Sequence, residues 1–161
     1  MTQRKPAYKR VLVKLSGEAL KGQNEHGLDA STLEALAARF KAVRELGTEI
    51  AVVVGGGNFF RGLTSANAGV YRTTGDQIGM LATVMNGLAV RDTFANIGLP
   101  CSLFSAFEVN GFCECFSVQK ARDAMDRGDI TILAGGTGHP FFTTDTTAAL
   151  RACELNAQAV L

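Results

Sequence analysis

Charged side chains and glycine-rich turns fall together at the ends of apolar runs. Lys14 sits in "RVLVKL", a stretch otherwise made of Val and Leu after its first residue, and "SG" follows one residue later. A lysine there carries a high desolvation cost unless it meets an anion. The run "AVVV" stops in Gly55, Gly56 and Gly57, and Arg61 follows four residues on. Three successive glycines leave backbone N–H groups open to close approach, and the planar fork of an arginine suits a phosphate. Asp145 follows "TGHPFFTT" at a predicted helix start, where a helix cap is the alternative reading. A lysine, an arginine and backbone amides on one sheet edge describe a site for several phosphates. Phosphoryl transfer asks a protein mainly for positioning and charge neutralisation, which these parts supply. The common nucleotide fingerprints are absent from the sequence: there is no GxxxxGK[ST], no GxGxxG after a strand, and no HRD or DFG set.

The elements that must position these residues alternate. "RVLVKL", "EIAVVVG", "CSLFS", "ITILAGG" and "QAVL" read as strands, apolar without strict alternation, as in sheets covered on both faces. Leu33, Leu36, Ala37, Phe40, Val43 and Leu46 fall at helical spacing, with Asp29 or Ser31 as start and Gly47 as stop. Further helices are predicted over 74–96, 118–127 and 146–155. The order predicts an α/β fold with a mainly parallel sheet and right-handed crossovers. The glycine-rich segments 16–17, 55–57 and 135–138 each follow a predicted strand, so they should converge on the edge where such sheets bind ligands. In the helix over 74–96, Ile78, Leu81, Met85 and Leu88 lie on one face and Met80, Val84 and Val90 near another. A helix apolar over so wide an arc is expected to be covered on several sides.

The totals narrow the field. The 161 residues suit one domain with a real core, and a net charge of +1 gives no nucleic-acid or membrane surface. The apolar run after "MTQRKPAYKR" ends at Lys14, too short for a secretion signal, and no stretch reaches transmembrane length, so a cytoplasmic protein is expected. Cys101, Cys113, Cys115 and Cys153 lack CxxC spacing. "CEC" at 113–115 could hold a metal, but with two His in the chain reduced thiols are the better reading, and no metal site is assigned.

"YKRVLVKLSGEAL", "VVVGGGNFFRG", "TGDQIGMLATVMNGLAVRD" and "AGGTGHPFFTTDTTAALRACEL" closely resemble the bacterial UMP kinases (uridylate kinases) of the amino acid kinase superfamily. The resemblance runs from Tyr8 to Leu161. It implies a three-layer sandwich and transfer of the γ-phosphoryl of Mg·ATP to UMP, giving UDP in pyrimidine nucleotide synthesis. Carried over by motif, Lys14 and Asp145 would be catalytic. Lys14, Leu15, Ser16, Gly17, Gly57 and Arg61 would face ATP. Gly56 and Asp76 would contact UMP, although a helix cap is the plainer reading of Asp76. Thr137, Gly138, His139, Pro140, Phe141, Phe142, Thr143 and Thr144 would enclose UMP. Gly22, Gln23, Asn24, Glu25, His26 and Gly27 match in length the family's loop for allosteric GTP, and a solvated loop is the alternative. The resemblance further implies GTP as activator, UTP as inhibitor, Mg2+ carried by ATP, and a homohexamer.

The sequence departs from the family pattern in two places. His139 stands where the family usually has Asn, and a neutral imidazole carries its donor and acceptor on separate ring nitrogens rather than in the atom set of an amide. The chain stops at "AQAVL", so it is read as the N-terminal, UMP-binding part of one domain, without the C-terminal ATP-binding part and with an apolar flank left at the sheet edge. The rival readings are a catalytically inactive nucleotide-binding or oligomerising fragment, and another member of the superfamily.

Overall fold

The computed structural model describes residues 6–60 and 69–161. In chain order the elements are β1 (Arg10–Leu15), α1 (Gly17–Leu20), α2 (Ala30–Glu45), β2 (Glu49–Val54), α3 (Arg72–Asn96), β3 (Cys101–Ser105), β4 (Glu114–Cys115), α4 (Val118–Asp126), β5 (Ile130–Ala134), α5 (Thr144–Leu155) and β6 (Ala159–Val160). Strand side chains alternate between two cores. Val11, Ile50, Val52, Leu103 and Ile132 point to one face, where α2 and α3 cover them with Phe40, Val84, Val90 and Phe94. Leu12, Ala51, Val53, Phe104 and Leu133 point to the other, under α4 and α5 with Met125, Ala148 and Leu155. Burial on both faces is why the strands read as continuous apolar runs. The result is the three-layer α/β/α sandwich expected.

The six strands lie in the order β4-β3-β5-β2-β1-β6, and every ladder is parallel. The chain crosses the sheet from β1 through β2 to β3 along the α2/α3 face. It then reverses and returns through β5 to β6 along the α4/α5 face. Changing face at the step where direction reverses is what crossovers of one hand require. β5 is thereby inserted between β2 and β3, which sets the loops after β2 and β5 side by side. At the β6 edge Leu161 stays in register, its N–H donating to Leu12 O at 2.9 Å while its carbonyl accepts from Lys14 N at 2.8 Å. Val160 and Leu161 are exposed there.

Helix boundaries follow local capping. The Asp29 carboxylate accepts the Thr32 N–H at 2.7 Å to start α2, and Gly47 takes φ 88 just past its end. Two starts differ from expectation. α3 begins at Arg72 rather than 74, with Tyr71 at its N-cap position, so Asp76 lies one turn inside and caps nothing. α5 begins at Thr144 rather than 146, and its cap is the Thr143 hydroxyl, which accepts the Thr146 N–H at 3.2 Å. Asp145 is therefore a first-turn residue, where the helix dipole favours an anion without a capping bond. The four-residue α1 and the two-residue β4 have too little sequence to carry a periodicity, and neither is foreseen. Among the described residues no helix is long and apolar enough to cross a membrane.

Candidate functional site

The glycine loops meet at the C-terminal ends of β1, β2 and β5, and their first task is to let backbone pass backbone. A Cβ on Gly17 would stand 2.5 Å from Gly57 N, one on Gly55 2.9 Å from Gly17 N, and one on Gly56 2.7 Å from the Gly79 carbonyl. No side chain fits at such separations. The loop after β2 is thus wedged between the β1–α1 turn and α3, and Gly55 N–H closes it by donating to Leu15 O at 2.7 Å. The main-chain oxygen of Leu15 is committed to this contact. On the helix side a stripe of small residues, Gly75, Gly79, Thr83 and Gly87, repeats every four positions and admits the approach.

Short polar side chains tie the loops together. Asn58 and Asn86, both buried, exchange amide hydrogen bonds at 3.0 and 2.7 Å. Asn86 Nδ2 also donates to Gly55 O at 2.6 Å, and Asn58 Nδ2 to Gly27 O at 2.7 Å. Gly27 N–H returns a bond to Asn58 O at 3.1 Å, so the end of segment 22–27 is fastened to the glycine loop. Thr83 Oγ1 accepts the Gly135 N–H at 2.7 Å, joining α3 to the loop after β5. Sequence reasoning missed Asn58, Asn86 and Thr83. Their signal was polar residues set among the small and apolar positions that face the sheet.

Above this base lies a cavity walled on one side by Gly56, Gly57 and Phe60 and on another by Gly75, Asp76 and Gly79 of α3. Gly136, Thr137, His139, Phe142 and Thr144, with Met80 and Thr83 of α3, complete it. Of the expected acceptor residues, Gly56, Asp76, Thr137, His139, Phe142 and Thr144 thus converge. Gly138, Pro140, Phe141 and Thr143 belong to the same segment without lining the cavity. Asp76 is engaged: Arg72 Nε donates to both its oxygens, at 2.9 and 3.0 Å, and Phe141 N–H donates to Oδ2 at 2.9 Å.

Lys14 and Asp145 come together across the strand-to-helix end of the sheet, Nζ to Oδ1 at 3.0 Å. Lys14 is 29% exposed and Asp145 75%, so the pair borders solvent. A pair this open contributes little to stability, and an incoming phosphate can compete for the ammonium. Ser16 and Gly17 form the turn beside it; Ser16 occupies the N-cap position of α1 without a side-chain capping bond. Arg61 lies outside the described residues. On the far side of Gly57 a second hollow is bordered by Glu18, Lys21, Glu25, His26, Phe59 and Phe60. Gly22, Gln23, Asn24, Glu25 and His26 are exposed there, with Lys21 Nζ donating to Glu25 O at 3.2 Å.

The chain is similar to known proteins in sequence and in fold. A family model described as the amino acid kinase family matches residues 9–161. The uridylate kinase of Brucella anthropi is 52% identical over 157 residues, covering 98% of this chain and 65% of that protein. The uridylate kinase of Escherichia coli strain K12 is 49% identical over 160 residues, covering 99% of this chain and 66% of that protein. The crystal structure of UMP kinase from Bacillus anthracis superposes with a TM-score of 0.91 at 36% identity, over 98% of this chain and 64% of that one. That of UMP kinase from Ureaplasma parvum gives 0.90 at 29% identity, over 98% and 65%. The chain spans about 65% of the length of the curated relatives it matches.

Proposed function

Since this chain belongs to the amino acid kinase family, we propose that it is the acceptor-binding portion of a UMP kinase, which transfers the γ-phosphoryl of ATP to UMP. The observation that carries the reading is that the Lys14–Asp145 pair and a glycine-built cavity, whose wall includes Thr144 next to Asp145, lie at the same end of the sheet. In the transfer, an oxygen of the UMP phosphate forms a bond to the γ-phosphorus and the bond to the ADP oxygen breaks, giving UDP and ADP. Lys14 neutralises charge on the moving group, and Asp145 holds the ammonium in place between turnovers. Backbone amides of the β1–α1 turn (Leu15, Ser16 and Gly17) and Gly57 face the ATP phosphates, and Arg61 is assigned to the same group by its place in the motif. Gly56, Asp76 and segment 137–144 take UMP, with Asp76 accepting from nucleotide donors. Contacts to adenine are assigned to the length of the relatives that this chain does not span.

Magnesium enters as the partner of ATP. Among the described residues no three His, Cys, Asp or Glu side chains cluster into a metal site. An ion arriving with ATP would be held largely by phosphates and water, with one or two carboxylates at most. When bound it supplies charge neutralisation on the phosphates.

The same reading carries a cytoplasmic location, activation by GTP through segment 22–27, inhibition by UTP and a homohexamer. Support for the GTP route is the Asn58 link from Gly27 to the glycine loop. Support for assembly is the outer face of α3, where Ile78, Leu81 and Met85 are exposed while Val84 and Val90 are buried. Sedimentation of the full-length form as a monomer would remove the assembly proposal.

The decisive experiment mixes the protein, extended to the full length of its relatives, with UMP and Mg·ATP and measures UDP, beside calorimetric titration with each nucleotide. Lys14→Ala is expected to cut turnover about a thousandfold while the protein stays folded. Near-normal turnover in that variant would overturn the assignment. For the chain alone, UMP is expected to bind measurably more tightly than ATP.

A further inference from the structure

Phe141 holds an unusual backbone. Its φ is 71, and the other described non-glycine residue at positive φ is Asn156, a helix C-cap where that conformation is common. A residue with a Cβ is strained there and remains only if its surroundings fix it. Core packing does not fix it, because Phe141 is 62% exposed. What meets it is α3. The Phe141 N–H donates to Asp76 Oδ2 at 2.9 Å, and the Arg72 guanidinium lies 5.7 Å from the centre of its ring. Arg72 also grips both oxygens of Asp76. His139 and Phe142, on either side of Phe141, line the cavity with Asp76.

We propose that Arg72 is a positioning residue of the acceptor site: it clamps the Asp76 carboxylate and the Phe141 ring together, and so sets segment 139–142 at the cavity rim. The proposal rests on the reading of that cavity as the UMP site. One guanidinium orients the carboxylate that meets the nucleotide and steadies the strained residue between two wall residues. A cation over an aromatic ring and an i,i+4 ion pair are each modest, but both act on the same short segment.

The test is UMP titration of the intact protein by calorimetry, with amide exchange at Phe141 followed by NMR and melting temperature as control. Arg72→Gln should raise the Kd for UMP about fivefold. It should also speed exchange of the Phe141 amide severalfold and leave the melting temperature where it was. Arg72→Lys, which keeps the cation but not the fork, should recover part of both effects. Unchanged UMP affinity in Arg72→Gln would overturn the role of Arg72, as would affinity loss that tracks a lower melting temperature in both variants. If the unsubstituted protein took up no UMP, the acceptor reading would fall and the positioning role with it. Phe141 exchange in Arg72→Gln would then tell a clamp built for another ligand from no clamp at all.

Discussion

The two ends of the sheet are built from different materials. At the N-terminal ends of the strands, long charged side chains tie the turns. Arg10 bonds Glu49 at 2.5 Å, the Leu155 carbonyl at 2.8 Å and Asp126 at 2.9 Å, and Arg44 bonds the Gly128 carbonyl at 2.7 Å. At the C-terminal ends the ties are backbone amides, glycines and short amide or hydroxyl groups, as in the Asn58–Asn86 pair and Thr83. Cations at the first end are spent on the protein's own carbonyls and carboxylates. At the second, Lys14 faces an exposed carboxylate that a ligand can displace. Glycine brings three loops close enough to present main-chain donors, at the cost of having no side chains to brace them, so the bracing falls to buried amides beneath.

Putting a side chain into the glycine end should do the most damage. In Gly17→Ala the new methyl would meet Gly57 N at 2.5 Å and Asn58 Oδ1 at 2.6 Å, so both must move. A loss of about 3 kcal/mol is expected in urea unfolding, with weakened UMP binding. Parental stability would mean that these loops part easily. At the opposite end, Arg10→Ala should cost about 2 kcal/mol, since the side chain is 16% exposed and its removal leaves Glu49 with the longer Lys9 pair at 3.5 Å and strands the Leu155 carbonyl. UMP affinity should not change. An equal fall in affinity would mean that the two ends are coupled and the contrast is false.

Cysteine chemistry probes the same contrast with a smaller effect. Cys101 starts β3, and burial, reinforced by nearby Asp129, pushes its thiol up to about 11. At pH 8 its thiolate fraction should lie about a hundredfold below that of an ordinary thiol. Exposed Cys115 and Cys153 should therefore be carboxymethylated first. Equal rates by mass spectrometry would indicate that the start of β3 opens readily. The smallest effect concerns Asp29, whose carboxyl is lowered by the Ser31 hydroxyl first and by the Thr32 side chain and N–H next. A carboxyl with a depressed folded value contributes stability that is complete above the ordinary value of 3.8 and lost as pH falls through the lower folded one. Asp29→Asn, which can still cap α2, should flatten that part of the acid limb of a stability–pH curve. An unchanged acid limb would assign the loss to other carboxylates.

Local pattern carried the layers a long way. Strand and helix identities rest on runs of Val, Ile and Leu and on the spacing of Leu33, Ala37 and Phe40, which neighbouring residues are enough to encode. Lys14 stood out because an ammonium within an apolar strand is costly, and that cost is visible without knowing its partner. Asp76 and Asp145 were harder. Each lies near a helix start, where a carboxylate is common for local reasons, and a shift of two residues in the observed starts at Arg72 and Thr144 decides whether either caps anything.

By itself the sequence determined a parallel α/β sandwich with glycine turns at one edge, because alternation, helical period and turn chemistry are short-range properties of the chain. Tertiary structure alone decided that β5 enters between β2 and β3. It also decided that Phe141 reaches Asp76 across 65 positions and that Asn58 and Asn86 pair across 28. Those contacts depend on where crossovers return the chain, and no residue type announces its distant neighbour. The glycines at 17, 55 and 56 join the two levels. The sequence marks them as permissive backbone, and only the packing of loop on turn and loop on helix gives the reason that nothing larger fits.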